Sequence, residues 1–437
     1  CLAACMCRDG LPPESWKQLA DLARTRLIDD HADPYFLTHY NAAHNAVVTH
    51  LIAGAICALT FGRESGYPDT ERIVELGRDA CAMHVQWGFD EQGVPFEGPM
   101  YSHVTLEWVF LMAELLRRHG GEDLFRTLPR LSAIAQATLE MQLPGLQGFA
   151  GFQDCRQIIT QLPMPWLLLT DAAYGRPLDR ALWRHTNQAL DPEMPHYKYR
   201  SGWQGVLDLL WWDGKPPHQK LQTGGLPTAF CGRGAAVAVM RTSWNDDAVC
   251  VYAHGQGRSH NVPDHTHADA GHFSIHAYGD YLAYDTGYFN FDEDTHSVVL
   301  IDDKPHQRTV QGNLHHGSFT DFTRHPLLDC VRIDAAGARG CLWAERIILF
   351  VRGDGDSAYL VVLDNINPDN GKHNFKWQLQ ANWHCRIETE GTTARVLGDK
   401  ARIDCHFFNP HPEDFPTCPH SLRVFADAHP VREPMTG

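Results

Sequence analysis

Apolar residues recur at a spacing of three to four through the first half of the chain. That period marks one face of a helix and predicts helices over 13–29, 41–61, 70–86, 101–118, 122–141 and 155–173. Gly, Pro and Asp fill the gaps between them, as helix ends require. Helices in series with short connections suggest paired helices in a ring or solenoid. No repeat of fixed period is evident. The texture changes near Asp213-Gly214-Lys215-Pro216-Pro217. Beyond it lie short apolar or alternating runs at 236–240, 248–253, 272–278, 298–301, 346–351, 359–364, 375–379 and 402–407, separated by turn residues. Such a series predicts a large antiparallel sandwich. The boundary is expected between 212 and 228, giving domains of 1–220 and 221–437. The fold class is thus α+β and multidomain, nearly all α before the boundary and nearly all β after it.

Composition narrows the picture. Hydrophobic residues make up 43% and charged residues 21%, the proportions of a globular chain able to bury a sizeable core. The net charge of -16 argues against a nucleic-acid binder, which would carry a basic stripe. It also opposes a polyanionic ligand at long range, so such a ligand would need a locally positive cleft. The 27 histidines could line one. The 13 cysteines are odd in number and scattered, without the spacing of a disulfide framework or a zinc finger, and read as isolated thiols. No run of about 18 apolar residues predicts a membrane span. The chain opens at Cys1 without the charged region and apolar stretch of a signal peptide, as a mature or truncated chain would.

Three constellations carry candidate chemistry. Asn41, His44 and Asn45 share one face of the second helix, at spacings of three and four. Amides and an imidazole at a helix start can hydrogen-bond a carboxylate, although capping would use the same residues. The stretch Gly93-Val94-Pro95-Phe96-Glu97-Gly98-Pro99-Met100-Tyr101 reads as a structured loop entering a helix. Tyr101 is placed where that helix begins, in a field that favours its ionised form; a packed tyrosine is the alternative. The third is His265-Thr266-His267-Ala268-Asp269, followed by Asp285-Thr286-Gly287 and by His296. Two imidazoles and a carboxylate with an open position suit zinc. Trp203, Trp211 and Trp212 gather just before the boundary, for helix packing or sugar stacking.

Together these constellations resemble the heparinase II/III-like superfamily of polysaccharide lyases, which includes heparinases and oligo-alginate lyases. The resemblance covers nearly the whole chain. His44-Asn45 is similar to the family's carboxylate-neutralising motif, and Glu97-Gly98-Pro99-Met100-Tyr101 to its tyrosine loop. His265 through Asp269, with Asp285 and His296, resembles its β-domain signature, and 346–365 with 373–379 a later stretch of the same sandwich. The resemblance implies an N-terminal (α/α) helical toroid followed by the antiparallel β-sandwich. It implies Tyr101 as proton donor to the leaving oxygen, His44 and Asn45 as holders of the uronate carboxylate, and His265 as base or second neutraliser. Asn41, Glu97 and Trp203 would touch substrate. His267, Asp285 and His296 would hold a structural zinc ion. The position before His44 is Ala43, where some members place an amide, so Asn41 or Asn45 takes that part. These lyases carry more residues before the His/Asn helix, which leaves room for an incomplete toroid. The implied partner is an acidic polysaccharide or oligosaccharide, in a periplasmic or secreted setting, with the oligomeric state open.

The chemistry explains the residue types. The C5 proton of a 4-linked uronate is only weakly acidic while the neighbouring carboxylate is anionic. Hydrogen bonds to that carboxylate stabilise the enolate-like transition state. A base removes the proton and an acid protonates the departing O4. Two other readings compete. A glycoside hydrolase would need two positioned carboxylates, for which Asp90 and Glu97 are candidates. A non-catalytic carbohydrate-binding protein would bind without turnover.

Overall fold

The computed structural model describes residues 8–25, 44–65, 69–119, 121–155, 158–160, 164–188, 202–215, 223, 225–257, 265–288, 290–305, 316–355, 357–408, 424 and 426. Asn41 lies outside them. The side chain of Trp203 does too, although its backbone is helical.

The first half is built from α1 (Pro13–Ala23), α2 (Asn45–Ser65), α3 (Thr70–Trp87), α4 (Gly98–Arg118), α5 (Leu124–Thr127), α6 (Arg130–Glu140), α7 (Leu167–Tyr174), α8 (Pro177–Gln188) and α9 (Gly202–Trp211). The three-to-four spacing has its expected meaning here. Val47, Val48, Leu51, Ile52, Ala55 and Ile56 of α2 meet Ala80, Cys81 and Val85 of α3 in one buried core. Val109, Phe110 and Met112 of α4 and Leu131, Ile134 and Ala135 of α6 complete it, with Phe110 stacked on Trp166 at 4.8 Å. Trp211 belongs to this core, whereas Trp212 is exposed. The segment Asn45–Gly62 is long and apolar enough to cross a membrane, with mean hydropathy 1.6. It is mostly buried within this core, which accounts for its composition.

Two expected helices are interrupted. The segment 122–141 divides into α5 and α6 at Leu128-Pro129, because proline disfavours helical backbone in the residue before it. Among the described residues the segment 155–173 yields only α7 as helix. Ahead of it, β2 (Ile158–Thr160) pairs with β1 (Gly148–Ala150), so a two-stranded ribbon stands among the helices. β-Branched residues favour the strand, and Pro165 delays the helix.

The second half is antiparallel β. β3 (Ala229–Gly232), β4 (Val237–Arg241), β5 (Cys250–His254), β6 (His272–Ala277) and β7 (Asp280–Ala283) form one sheet in sequence order. β9 (Ser318–Arg324), β10 (Leu328–Asp334), β11 (Trp343–Arg352) and β12 (Ala358–Asn367) form a second. β8 (Val299–Ile301) pairs with β13 (Phe375–Trp377), and β14 (Arg386–Glu390), β15 (Thr393–Leu397) and β16 (Arg402–His406) make a small third sheet. A single helical turn, α10 (Ala336–Arg339), precedes β11.

The five-stranded sheet is buried on both faces. Ala236, Ala238, Met240, Val251, Ala253 and Phe273 meet Phe319, Val331, Ile348 and Phe350 of the four-stranded sheet. Val237, Val239, Cys250, Tyr252 and Tyr281 face the other way, against Val94, Phe96, Met141, Phe149 and Phe152 of the helical half. Strands covered on both sides read as continuous apolar runs, as β4 and β5 do. This double coverage brings loops of the two halves together.

Candidate active site

The site forms where the loops at the starts of α2 and α4, the turn after β1, and the loops after β5 and β7 converge. His44 stands one residue before α2, and its Nδ1 accepts the Ala46 N–H at 3.1 Å. In the neutral ring the proton then sits on Nε2, making that atom a donor. The Asn45 N–H, the first of α2, donates to Glu97 Oε1 at 3.1 Å. Glu97 thus caps from a distance a helix start that would otherwise leave this buried amide unmet. Gly98 follows with φ +78, and a side chain there would strike the Phe152 carbonyl at 2.6 Å. Only glycine allows this close turn into α4.

Tyr101 occupies the first turn of α4, three residues beyond its start. Its ring stacks on His265 at 3.6 Å with 18° between planes, and its hydroxyl hydrogen-bonds Tyr288. The expected helix-dipole effect on the phenol is overruled. Burial first, then the Tyr288 hydroxyl, pushes its pKa up, so Tyr101 stays a neutral phenol. Asn45 Nδ2 lies 3.4 Å from His265 Nε2, and the His44 and His265 rings are 5.5 Å apart. Donor atoms of His44, Glu97 and His265 all lie within 4.8 Å of one another.

Asp154 completes the arrangement and was not singled out in the sequence. Its Oδ2 accepts from His265 Nδ1 at 2.8 Å, and its Oδ1 from His267 Nε2 at 2.9 Å. Its N–H donates to the His265 carbonyl at 3.2 Å. Burial would raise this carboxyl, but the bonds from His265 and His267 outweigh it and hold it below its usual range. Nothing local in Gly151-Phe152-Gln153-Asp154 announces the role, because the partners lie 111 and 113 residues away. Tyr288 was likewise unassigned, although it directly follows Asp285-Thr286-Gly287.

Behind His265, donor atoms of His267, Asp269, Asp285 and His296 lie within 4.8 Å of one another, all buried. His267 Nδ1, Asp269 Oδ1, Asp285 Oδ2 and both ring nitrogens of His296 are buried without a hydrogen-bond partner. Such atoms are costly unless something pairs with them, and a cation would. Asp285 Oδ2 approaches His296 Nδ1 at 3.3 Å, and the imidazole holds that carboxyl far below its usual range despite burial. Asp269, buried likewise, is held low by His254, whose Nδ1 is 2.7 Å from Oδ2. His272 stands apart from the donor set. Its Nδ1 accepts the Ser297 N–H at 3.0 Å, so its proton points from Nε2 toward Asp285 Oδ2 at 3.8 Å. Burial lowers its pKa to about 4, which keeps it neutral. Two carboxylates and two imidazoles are the hard and borderline donors that a small divalent ion takes. The sequence picked three of the four; Asp269 is added by the fold.

The supporting loops are pinned by buried arginines. Arg346 Nη1 donates to the carbonyls of Gly271 and Ser297, both at 2.7 Å, while its other nitrogens pair with Asp364. Arg339 donates to the Ala270 and Val299 carbonyls. Asp90 is engaged otherwise: it accepts the N–H groups of Gln92, Val94 and Ala235 at 3.0, 2.9 and 3.1 Å.

No protein-family model matches the chain, and no curated protein matches its sequence. Solved structures do. A heparan sulfate lyase from Pedobacter heparinus matches with TM-score 0.51 at 16% identity, over 83% of this chain and 52% of that one. A heparinase III matches at 0.53 and 13%, over 82% and 53%. A heparinase III with methylated lysines matches at 0.55 and 13%, over 88% and 59%. The chain therefore has the fold of heparinase III-type polysaccharide lyases and spans about half the length of those structures.

Proposed function

We propose that the protein is a polysaccharide lyase that cleaves 4-linked, uronate-containing acidic glycans by β-elimination, with its helices forming a helical toroid. The convergence of Tyr101 and Asn45 from the helical half on His265 from the β half carries this reading. The likeness to heparinase III-type folds supports it.

His44 Nε2–H and the Asn45 amide donate to the uronate carboxylate, so that charge growing on it in the transition state is met by fixed donors. His265 Nε2, bare in the neutral ring, takes the C5 proton. The C5–H electron pair forms the C4–C5 double bond, and the C4–O4 bond breaks. The neutral Tyr101 hydroxyl gives its proton to O4, and the proton taken at C5 later restores the phenol through solvent. Glu97 holds the helix start that carries Asn45, and Trp203 and Asn41, outside the described side chains, are assigned to substrate contact by the family resemblance alone.

His267, Asp269, Asp285 and His296 would hold a zinc ion that fixes the loop carrying His265. When bound, it supplies structural anchoring to those loops. A periplasmic or secreted setting follows from the proposed substrate class. A hydrolase fits less well, because both oxygens of Asp90 are committed to backbone amides.

The test is a panel of heparan, chondroitin, hyaluronan and alginate, read by ultraviolet absorbance of the new C4–C5 double bond. Absorbance should rise with at least one of them. Cleavage without that rise would show hydrolysis, and binding without cleavage would show a lectin-like role.

A further inference from the structure

The Asp154 carboxylate touches both the candidate acid–base histidine and the candidate metal cluster. Its two oxygens meet opposite nitrogens of the two rings: Nδ1 of His265 at 2.8 Å and Nε2 of His267 at 2.9 Å. An ionised carboxylate only accepts, so both ring atoms must donate. In the neutral rings this leaves His265 bare at Nε2, the atom 3.4 Å from Asn45 Nδ2. It leaves His267 bare at Nδ1, the buried atom without a hydrogen-bond partner beside Asp269, Asp285 and His296. Each lone pair therefore points where it is needed. The Asp154 N–H bond to the His265 carbonyl adds a third tie between the turn after β1 and the 265–267 run.

We propose that Asp154 is a positioning residue that fixes the tautomers of His265 and His267 together. It thereby poises Nε2 of one as proton acceptor and Nδ1 of the other as cation ligand. The catalytic part of this assignment rests on the lyase reading; the tautomer part does not. An amide at position 154 has one accepting and one donating atom, so it can satisfy only one ring as found. The other must move its proton to the opposite nitrogen. A flipped His265 carries a proton on Nε2 and cannot accept one from C5.

The experiment combines two measurements on the full chain. Ring nitrogens are observed by 15N NMR in histidine-labelled protein, well above the ordinary imidazole pKa of about 6.5. His265 is assigned by the signals missing in His265→Gln. In the unsubstituted protein His265 should carry its proton on Nδ1. In Asp154→Asn either His265 or His267 should show the reversed pattern, with His267 assigned in the same way. A wild-type His265 protonated on Nε2 overturns the proposal, and this one spectrum decides even if the variant does not fold. Two unchanged rings in a folded Asp154→Asn overturn it as well. On a glycan that the protein cleaves, a flipped His265 should lower kcat about 10²- to 10⁴-fold with KM changed by less than about threefold. A flip that leaves kcat unchanged also overturns the catalytic assignment. If no glycan is cleaved by the wild type, the lyase reading fails while the spectra still decide the tautomers.

Discussion

Tyr101 shows how neighbours set the protonation of a side chain at a helix start. The tyrosine-bearing turn was legible in Glu97-Gly98-Pro99-Met100-Tyr101, and the helix does begin there. The helix terminus supplies only a modest field toward the ionised form, while burial and the Tyr288 hydroxyl both oppose charge and push the pKa up. A neutral phenol is the form needed to protonate a leaving oxygen. Tyr101→Phe removes that hydroxyl and keeps the ring stacked on His265. Turnover on a cleaved glycan should fall by about 10²- to 10⁴-fold, the usual scale for a lost acid–base group, with the unfolding midpoint nearly unchanged. Near-normal rates in the folded variant would remove Tyr101 from the mechanism. Asp154 was illegible for a different reason. Its function lies in two hydrogen bonds across more than a hundred residues, and a lone Asp after a Gly-Phe-Gln turn has no local pattern to mark it.

At the scale of elements, periodicity identified α2, α3, α4 and most strands of the five-stranded sheet, because continuous burial leaves long apolar runs. It missed β3, β7, β9, β10, β14 and β15. β3 and β7 are only four residues long, β10 carries three charged residues among its seven, and β14 is mostly open to solvent while β15 is largely half-buried. It also missed the β1–β2 ribbon, whose strands of three residues are too short to show a period. The ribbon leads into the turn that carries Asp154, so missing one hid the other.

Two predictions belong to this scale. Asp90 ties the 88–97 loop to the turn between β3 and β4 through three backbone amides. Asp90→Ala should cost about 2–4 kcal/mol in denaturant unfolding, since buried donors left unmet cost about 1–3 kcal/mol each. Unchanged stability with abolished cleavage would instead mark Asp90 as a catalytic acid. The loops after β5 and β7 supply the candidate ion site, with His267, Asp269, Asp285 and His296 drawn from both. Elemental analysis should find about one zinc per chain. His267→Ala should lose it, and a chelator should lower the thermal midpoint of the wild type but not of that variant. A zinc-free wild type with the same midpoint in chelator would refute the assignment.

The whole molecule is held together by a sheet buried on both faces, and imidazoles have been drawn into that dry region. His103 of α4 packs against Phe149 between the two halves, and His276 sits on β6. Burial lowers both to about 4. In the unfolded chain an imidazole takes up its proton near pH 6.5. Between there and about pH 4 the unfolded state binds more protons than the folded one. Stability must therefore rise with pH across that window. The contribution is fully present above about pH 6.5 and is lost as the pH falls toward about 4. For His103 it amounts to of order 3 kcal/mol, because each tenfold loss of proton affinity is worth about 1.4 kcal/mol. Carboxyls raised by burial, such as Asp90 and Asp179, act in the opposite sense, so the slope of the whole protein mixes both. A single substitution separates them. His103→Gln removes one titrating ring and leaves the carboxyls in place. Urea unfolding measured at several values between about pH 7 and pH 4.5 should show wild-type stability falling more steeply than that of the variant. Parallel slopes would mean that His103 is already protonated, or wetted, in the folded state, and that the seam between the helical and β halves is not as dry as its packing indicates.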